Sequence, residues 1–184
     1  MRVRDHVAIS TMGAAVLYPR LGGAVLGSWA ASILIDVDHY VWFCLHQRRL
    51  NPRAAVRFFN QAQPPQHPQT RLLHSPVVLL LLLLGARRRG AAAALLGMAF
   101  HVAMDIYDAA RRDRARAAAR ARDGFTCQHC GAQGPAVVAH LWRQPWLLPS
   151  YRPEYFTSLC GACHEAAHAG KMRCLSGSAT VPVQ

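Results

Sequence analysis

Lysine is almost absent from this chain: of 21 lysines and arginines, only Lys171 is a lysine. Acids are scarce too, with 9 aspartates and glutamates against those 21 cations, for a formal charge of +12. That shortage excludes an anionic surface; what is left suits nucleic acid or anionic lipid, and charge alone does not choose between them. No internal repeat is visible, which argues against a solenoid. The N-terminus does not read as a cleavable signal, because its apolar run continues into acidic and histidine residues.

What the chain does have is 52% hydrophobic residues beside the high positive charge. That pairing is unusual for one soluble domain and suits a membrane-embedded part joined to a basic part, and 184 residues allow two small domains. Residues 7–18 are apolar and end at Pro19-Arg20; residues 21–45 are apolar apart from Asp36, Asp38 and His39. Residues 47–71, with Pro52, Pro64, Pro65 and Pro68, read as a loop. A leucine-rich run over 72–86 precedes a turn at Arg87-Arg88-Arg89, and 91–107 is a fourth apolar run. Residues 109–122 are Ala/Arg-rich without Gly or Pro, which predicts a helical connector. The expectation is four apolar helices, only the second approaching the roughly 20 residues of a membrane span; a very hydrophobic soluble helical bundle is the alternative. Arg2, Arg4, Arg48, Arg49, Arg53, Arg57, Arg71 and the connector would face inward, with only Arg20 and Arg87–Arg89 outside. That asymmetry predicts four spans in a bacterial inner membrane and a cytoplasmic C-terminal part.

The clearest chemistry lies further on. Cys127-x-x-Cys130 and Cys160-x-x-Cys163 take up four of the six cysteines. Two such knuckles supply the four thiolates of a tetrahedral structural zinc. Two disulfides in an exported domain would be the other use of this pattern, but the two-residue spacing suits a metal knuckle. Cys44 and Cys174 should stay outside the site.

The run Arg122-Asp-Gly-Phe-Thr-Cys127-Gln-His-Cys130-Gly131, the apolar Val137-Val138-Ala139-His140 and the run Leu159-Cys160-Gly-Ala-Cys163-His164-Glu-Ala-Ala-His168 narrow the reading. Together, over residues 120–170, they resemble zinc-stapled HNH endonucleases. The resemblance implies a ββα, treble-clef type fold with one divalent ion, magnesium or manganese, beside a scissile DNA phosphate. It implies that His140, ending the first strand, activates water and that His164 binds the catalytic metal. His168, four residues on and on the same helical face, is a candidate second ligand. Two positions depart from the family pattern: Tyr155 stands where an Asn is usual, and Ala139 where a metal-binding acid or histidine is usual. A degenerate, zinc-stabilised module that only binds nucleic acid is therefore the rival expectation. In either case Arg111, Arg112, Arg114, Arg116, Arg120 and Arg122 are the candidate nucleic-acid contacts.

Ionisable groups inside apolar runs are costly and usually functional. Here they are His6, Asp36, Asp38, His39, His74, His101 and Asp105. The i,i+4 pair His101/Asp105 and the i,i+3 pair Asp36/His39 each share a helical face. Imidazole and carboxylate together suit zinc, manganese or iron, singly or as a pair of ions. His6, the Leu34-x-Asp36-x-Asp38-His39 element, His74-Ser75 and Gly97-x-x-x-His101-x-x-x-Asp105 resemble, over residues 5–108, the LexA-regulated inner-membrane-associated metal-dependent hydrolases. Ile35 stands where that family commonly has Pro, and Gln69-Thr70-Arg71-Leu72-Leu73 replaces its His-Arg-Gly-x-Thr. The resemblance implies ester or phosphoester hydrolysis.

The expected architecture is thus mainly α: a membrane-embedded four-helix hydrolase-like bundle over 1–108, a basic connector over 109–122, an HNH-like zinc domain over 123–170 and a flexible tail over 171–184. The expected function is a membrane-associated metal-dependent hydrolase with a DNA-cleaving tail; the alternative places the hydrolysis in the bundle. Membrane lipid and DNA are the expected partners.

Overall fold

The computed structural model describes residues 2–59, 71–143, 150–174 and 180–182, without the side chains of 172–174 and 180–182. It is mainly helical and divides into two compact units, Met1–Ile106 and Tyr107–Gln184.

The first unit holds α1 (Val3–Leu21), α2 (Ala24–Leu34), α3 (Val37–Gln47), α4 (Pro52–Phe59), α5 (Pro76–Leu84) and the start of α6 (Arg89–Arg122). Helix α1 ends at Gly22, whose φ of 56° is the left-handed conformation that glycine reaches most cheaply. Ser75 caps α5 by accepting the Val78 N–H, and Pro76 follows at the first helical position, where its missing N–H costs nothing. Small residues bring helices together. Ser10 and Ser32 share a buried 2.8 Å hydrogen bond between α1 and α2. A Cβ on Gly97 of α6 would collide with the Ser28 carbonyl of α2, so only glycine permits this approach.

The four-span expectation is not met. Run 21–45 breaks at Ile35-Asp36 into α2 and α3, of 11 residues each. At 1.5 Å per residue each spans roughly 17 Å, about half of a bilayer's ~30 Å hydrocarbon core. At the break Asp36 takes the N-cap position of α3, and Asp38 in its first turn accepts the His39 N–H and, from 35 residues away, the Leu73 N–H, at 2.7 and 2.8 Å. The leucine-rich run yields only the 9-residue α5. Part of the expected loop, Pro52–Phe59, is helix α4, while residues 60–70 lie outside the described residues. Among the described helices, α6 alone is long and apolar enough to cross a membrane.

In the second unit, β1 (Val138–Leu141) pairs antiparallel with β2 (Phe156–Leu159), and α7 (Gly161–His168) follows, giving the ββα order. Strand β2 is buried at every position, while β1 is only partly covered. The expected separate connector is not separate: Ala115 and Ala119 of α6 are buried against Phe156, so the alanines of that basic stretch form one side of this unit's core. The boundary accordingly falls inside α6 rather than at either end of 109–122. Asp123, just after α6, accepts the Ser158 N–H at 3.1 Å and the Arg122 Nε–H at 2.7 Å. Arg122 also donates to the carbonyls of Pro153 and Phe156, at 3.1 and 2.9 Å. Helix and strand are thus tied by charge-assisted bonds. The tail, expected to be flexible, pairs β3 (Met172–Cys174) with β4 (Thr180–Pro182).

Candidate metal centres

The four knuckle cysteines converge. Cys127 leads a turn whose return N–H, from Gly131, bonds the Cys127 carbonyl at 2.9 Å; Gly131 sits at φ 75°. Cys160 caps the start of α7, and its carbonyl takes the His164 N–H at 2.8 Å. Ligand atoms of Cys127, Cys130, Cys160 and Cys163 all lie within 4.8 Å of one another, and the Cys130 and Cys160 sulfurs are 3.6 Å apart. A tetrahedron with Zn–S bonds near 2.3 Å has edges of about 3.8 Å, and the four thiols are free rather than bridged. The set is therefore metal-ready and fits zinc. Burial pushes the Cys127 thiol up, but the backbone N–H groups of Cys130, Cys160 and His129 outweigh it and hold the thiol at about 6. Burial and the neighbouring thiols of Cys160, Cys130 and Cys127 push Cys163 up instead, as expected when one site cannot carry several thiolates without a cation. Cys44 is a free thiol in α3, in the other unit; the Cys174 side chain lies outside the described residues.

Beside this cluster stand His140 at the β1 end and His164 and His168 on α7. Ring centroids are 5.1 Å apart for His140–His164 and 4.8 Å for His140–His168. The Nε2 atoms of His164 and His168 are 3.3 Å apart. Two lone pairs do not face each other at that distance without a proton or a cation between them, and 3.3 Å is about the edge of a tetrahedron with Zn–N bonds of roughly 2.05 Å. His140 Nδ1 is buried without a hydrogen-bond partner. Burial, then the charges of His164 and His168, lower the His140 pKa to about 4; burial, His168 and Arg116 also lower that of His164. Both rings are therefore neutral near pH 7, as ligands or bases must be.

The first unit gathers the ionisable residues of the apolar runs. His6, Asp36 and His101 form one metal-ready triad, Asp36, His39 and His74 a second, and His74, His101 and Asp105 a third. Asp36 Oδ1 is the hub, 3.5 Å from His74 Nε2, 3.5 Å from His101 Nε2 and 3.8 Å from His39 Nδ1. His6 Nε2 meets Asp105 Oδ1 at 3.1 Å, and the His6 ring stacks on His101 at 3.8 Å. His101 Nδ1 donates to the Ser32 carbonyl at 2.8 Å, which leaves Nε2, buried and unpartnered, as the lone-pair atom facing the carboxylates. Asp38 differs from the rest. It stands in none of the triads; its oxygens take the His39 and Leu73 N–H groups and the His39 ring, and Oδ2 lies 3.6 Å from His74 Nδ1.

Some contributors escaped the sequence reading. His129, inside the first knuckle, has Nδ1 3.4 Å from the Cys163 sulfur; its only signal was its place between two ligands. Tyr155, read as a missing Asn, packs against the Ala115–Ala119–Phe156 cluster, stacks under the Arg143 guanidinium at 5.6 Å and accepts the Trp142 N–H on its carbonyl. Restoring Asn there would strip core packing, so that substitution is not a simple repair. No family model, curated protein or solved structure matches this chain.

Proposed function

We propose that the chain is a membrane-associated metal-dependent hydrolase whose C-terminal unit cleaves phosphodiesters in DNA. The observation that carries the reading is the His140–His164–His168 centre mounted on the four-cysteine staple. A divalent ion bound to His164 and His168 would supply Lewis acidity to a phosphate oxygen. The residues do the rest. His140, neutral at pH 7, accepts the proton of an attacking water, and Phe156, Ala115 and Ala119 hold β2 and α6 so that this imidazole stays aimed at α7. Two imidazole ligands without a carboxylate favour zinc or another borderline transition ion over magnesium, which prefers oxygen ligands; Ala139 is where that oxygen is missing. The test is plasmid nicking by the full chain with manganese, zinc, magnesium or EDTA. Metal-dependent nicking that EDTA and His164→Ala both remove supports the reading; no nicking with any ion leaves a nucleic-acid-binding zinc module.

A second reading is favoured by the three overlapping triads of the first unit, two of which share Asp36. It makes the first unit an ester or phosphoester hydrolase that holds zinc, manganese or iron. Leu80, Leu81, Leu83 and Leu84 of α5 and Leu26, Leu34 and Leu45 of α2 and α3 are all exposed apolar residues, and α5 buries none of its side chains. Such faces suit lipid contact, with α6 as the crossing candidate, and a lipid-like substrate would reach the centre from the apolar phase. Hydrolysis of a chromogenic phosphodiester, lost in Asp36→Ala but kept in His164→Ala, would assign the activity to this unit.

A further inference from the structure

We infer that Arg112, Arg116 and Arg120 form a phosphate-binding ledge that seats a nucleic-acid backbone beside the three-histidine centre. This deepens the nuclease reading and rests on it for the identity of the ligand. The basic stretch of α6 is not uniform. Arg112, Arg116 and Arg120 recur every four residues, about 6 Å apart along the axis, on one flank of the Ala115–Ala119 stripe that packs on Phe156. Each has its Nε buried and without a hydrogen-bond partner. Yet the side chains of Arg112 and Arg116 keep 37% and 43% of their surface exposed. The stems therefore lie along the core while the guanidinium ends reach outward. Acids only partly occupy them: Asp108 stands 3.9 Å from Arg112, and Asp113, itself 70% exposed, stands 3.5 Å from Arg116.

The other arginines of the stretch are used differently. Arg122 bonds two backbone carbonyls and Asp123. Arg111 sits over the Tyr107 ring at 5.8 Å, and Arg114 is simply exposed. Arg116 is also one of the charges that act on His164, which puts the ledge within electrostatic reach of the candidate centre. A lipid surface is the other source of phosphate. A basic stretch can meet anionic headgroups by charge alone, but the ledge adjoins the three-histidine centre, and among the described residues of this unit the large exposed apolar residues that would add insertion are Tyr107, Phe125 and Val138 alone. The chemistry therefore favours a nucleic acid.

The experiment uses the full chain in detergent micelles and a short fluorescein-labelled DNA duplex, with affinity read by anisotropy over a salt series and cleavage scored on gels from the same samples. Replacement by Gln keeps the stem over the core, and unchanged zinc content verifies the fold. Each of Arg112→Gln, Arg116→Gln and Arg120→Gln should flatten the slope of log affinity against log salt by about 0.9, and the triple variant by about 2.7. Arg114→Gln should leave it unchanged. A triple variant with the wild-type slope overturns the ledge, as does one that loses binding to phosphatidylglycerol vesicles but keeps DNA. If the triple variant loses zinc, Arg116→Gln alone decides by the same criterion. Flattened slopes without any cleavage by wild type would keep the ledge and remove the nuclease; cleavage with unchanged slopes would do the reverse.

Discussion

The two units reach a metal-ready cluster by opposite routes. In the C-terminal unit the ligands sit on two tight turns and one short helix, and the core beneath them is small: Phe156, Leu159, two alanines of α6 and the cysteines themselves. A core that small gains little from apolar burial, so a metal held by the four cysteines would be part of the fold. In the N-terminal unit the ligands come from α1, from α3 and the residue that caps it, from the turn before α5, and from α6. No stretch of sequence holds them; helix packing on Gly97, Ser28, Ser10 and Ser32 does. A metal there depends on a scaffold that is already formed. Removing a ligand should therefore unfold one unit and merely empty the other.

The largest expected effect is Cys160→Ser. Structural zinc contributes roughly 10–16 kcal/mol to small zinc folds, so zinc should be lost and residues 123–170 should lose protection from hydrogen exchange. Asp105→Asn, at a partly exposed ligand that keeps an acceptor for His6, should by contrast leave exchange in α1 and α2 close to wild type. Equal collapse of both units would erase the distinction drawn here.

Next in size is His140→Ala. With a positioned base removed, plasmid cleavage should fall by about 10²–10⁴, while the thiolate-bound zinc stays at the wild-type level. Retained cleavage would take His140 out of the reaction, and loss of exchangeable manganese along with activity would make it a ligand instead of a base.

Gly97→Ala tests the scaffold of the first unit. Its Cβ meets the Ser28 carbonyl, so α2 and α6 must separate, at a cost of about 1–3 kcal/mol. Metal bound to the first unit should weaken, since His101 lies one turn along α6, and the C-terminal zinc should not change. Wild-type thermal stability in this variant would mean that the helices are not so closely packed.

The smallest effect is Asp123→Asn, which keeps an acceptor for the Ser158 N–H but loses the charged bond to Arg122, for about 1 kcal/mol. Burial pushes the Asp123 pKa up, and the bonds from Arg122 and Ser158 outweigh it, so the folded value lies below the ordinary carboxylate value. A carboxylate depressed in this way contributes its stability in full above the unfolded pKa and loses it as pH falls through the folded one. Denaturant midpoints should thus differ between wild type and Asp123→Asn by the same amount throughout pH 5–8. A difference that shrinks within that window would contradict the assignment.

How far the sequence revealed this arrangement follows from the same contrast. The Cys-x-x-Cys pairs were legible because local spacing determines them; the ββα order and the places of His140 and His164 were expected from the resemblance to zinc-stapled HNH endonucleases, and His168 from its position one helical turn on. The helices of the first unit were legible as apolar runs but not as lengths. Beside the break at Ile35-Asp36, Asp38 accepts the Leu73 N–H from 35 residues away, a contact that no window of sequence contains. The role of residues 109–122 was hidden for a related reason: arginines dominate the composition, while the alanines between them do the packing. Tyr155 looked like a loss because its gain, contact with Phe156 and Arg143, is tertiary.

The most direct test of the central claim is the elemental metal content of purified full-length wild type, Cys160→Ser and His101→Ala. Two independent centres predict that Cys160→Ser loses the thiolate zinc and keeps the metal of the first unit. They predict that His101→Ala loses that metal and keeps the thiolate zinc. A wild type that carries one zinc, all of it lost with Cys160→Ser and none with His101→Ala, would contradict the account.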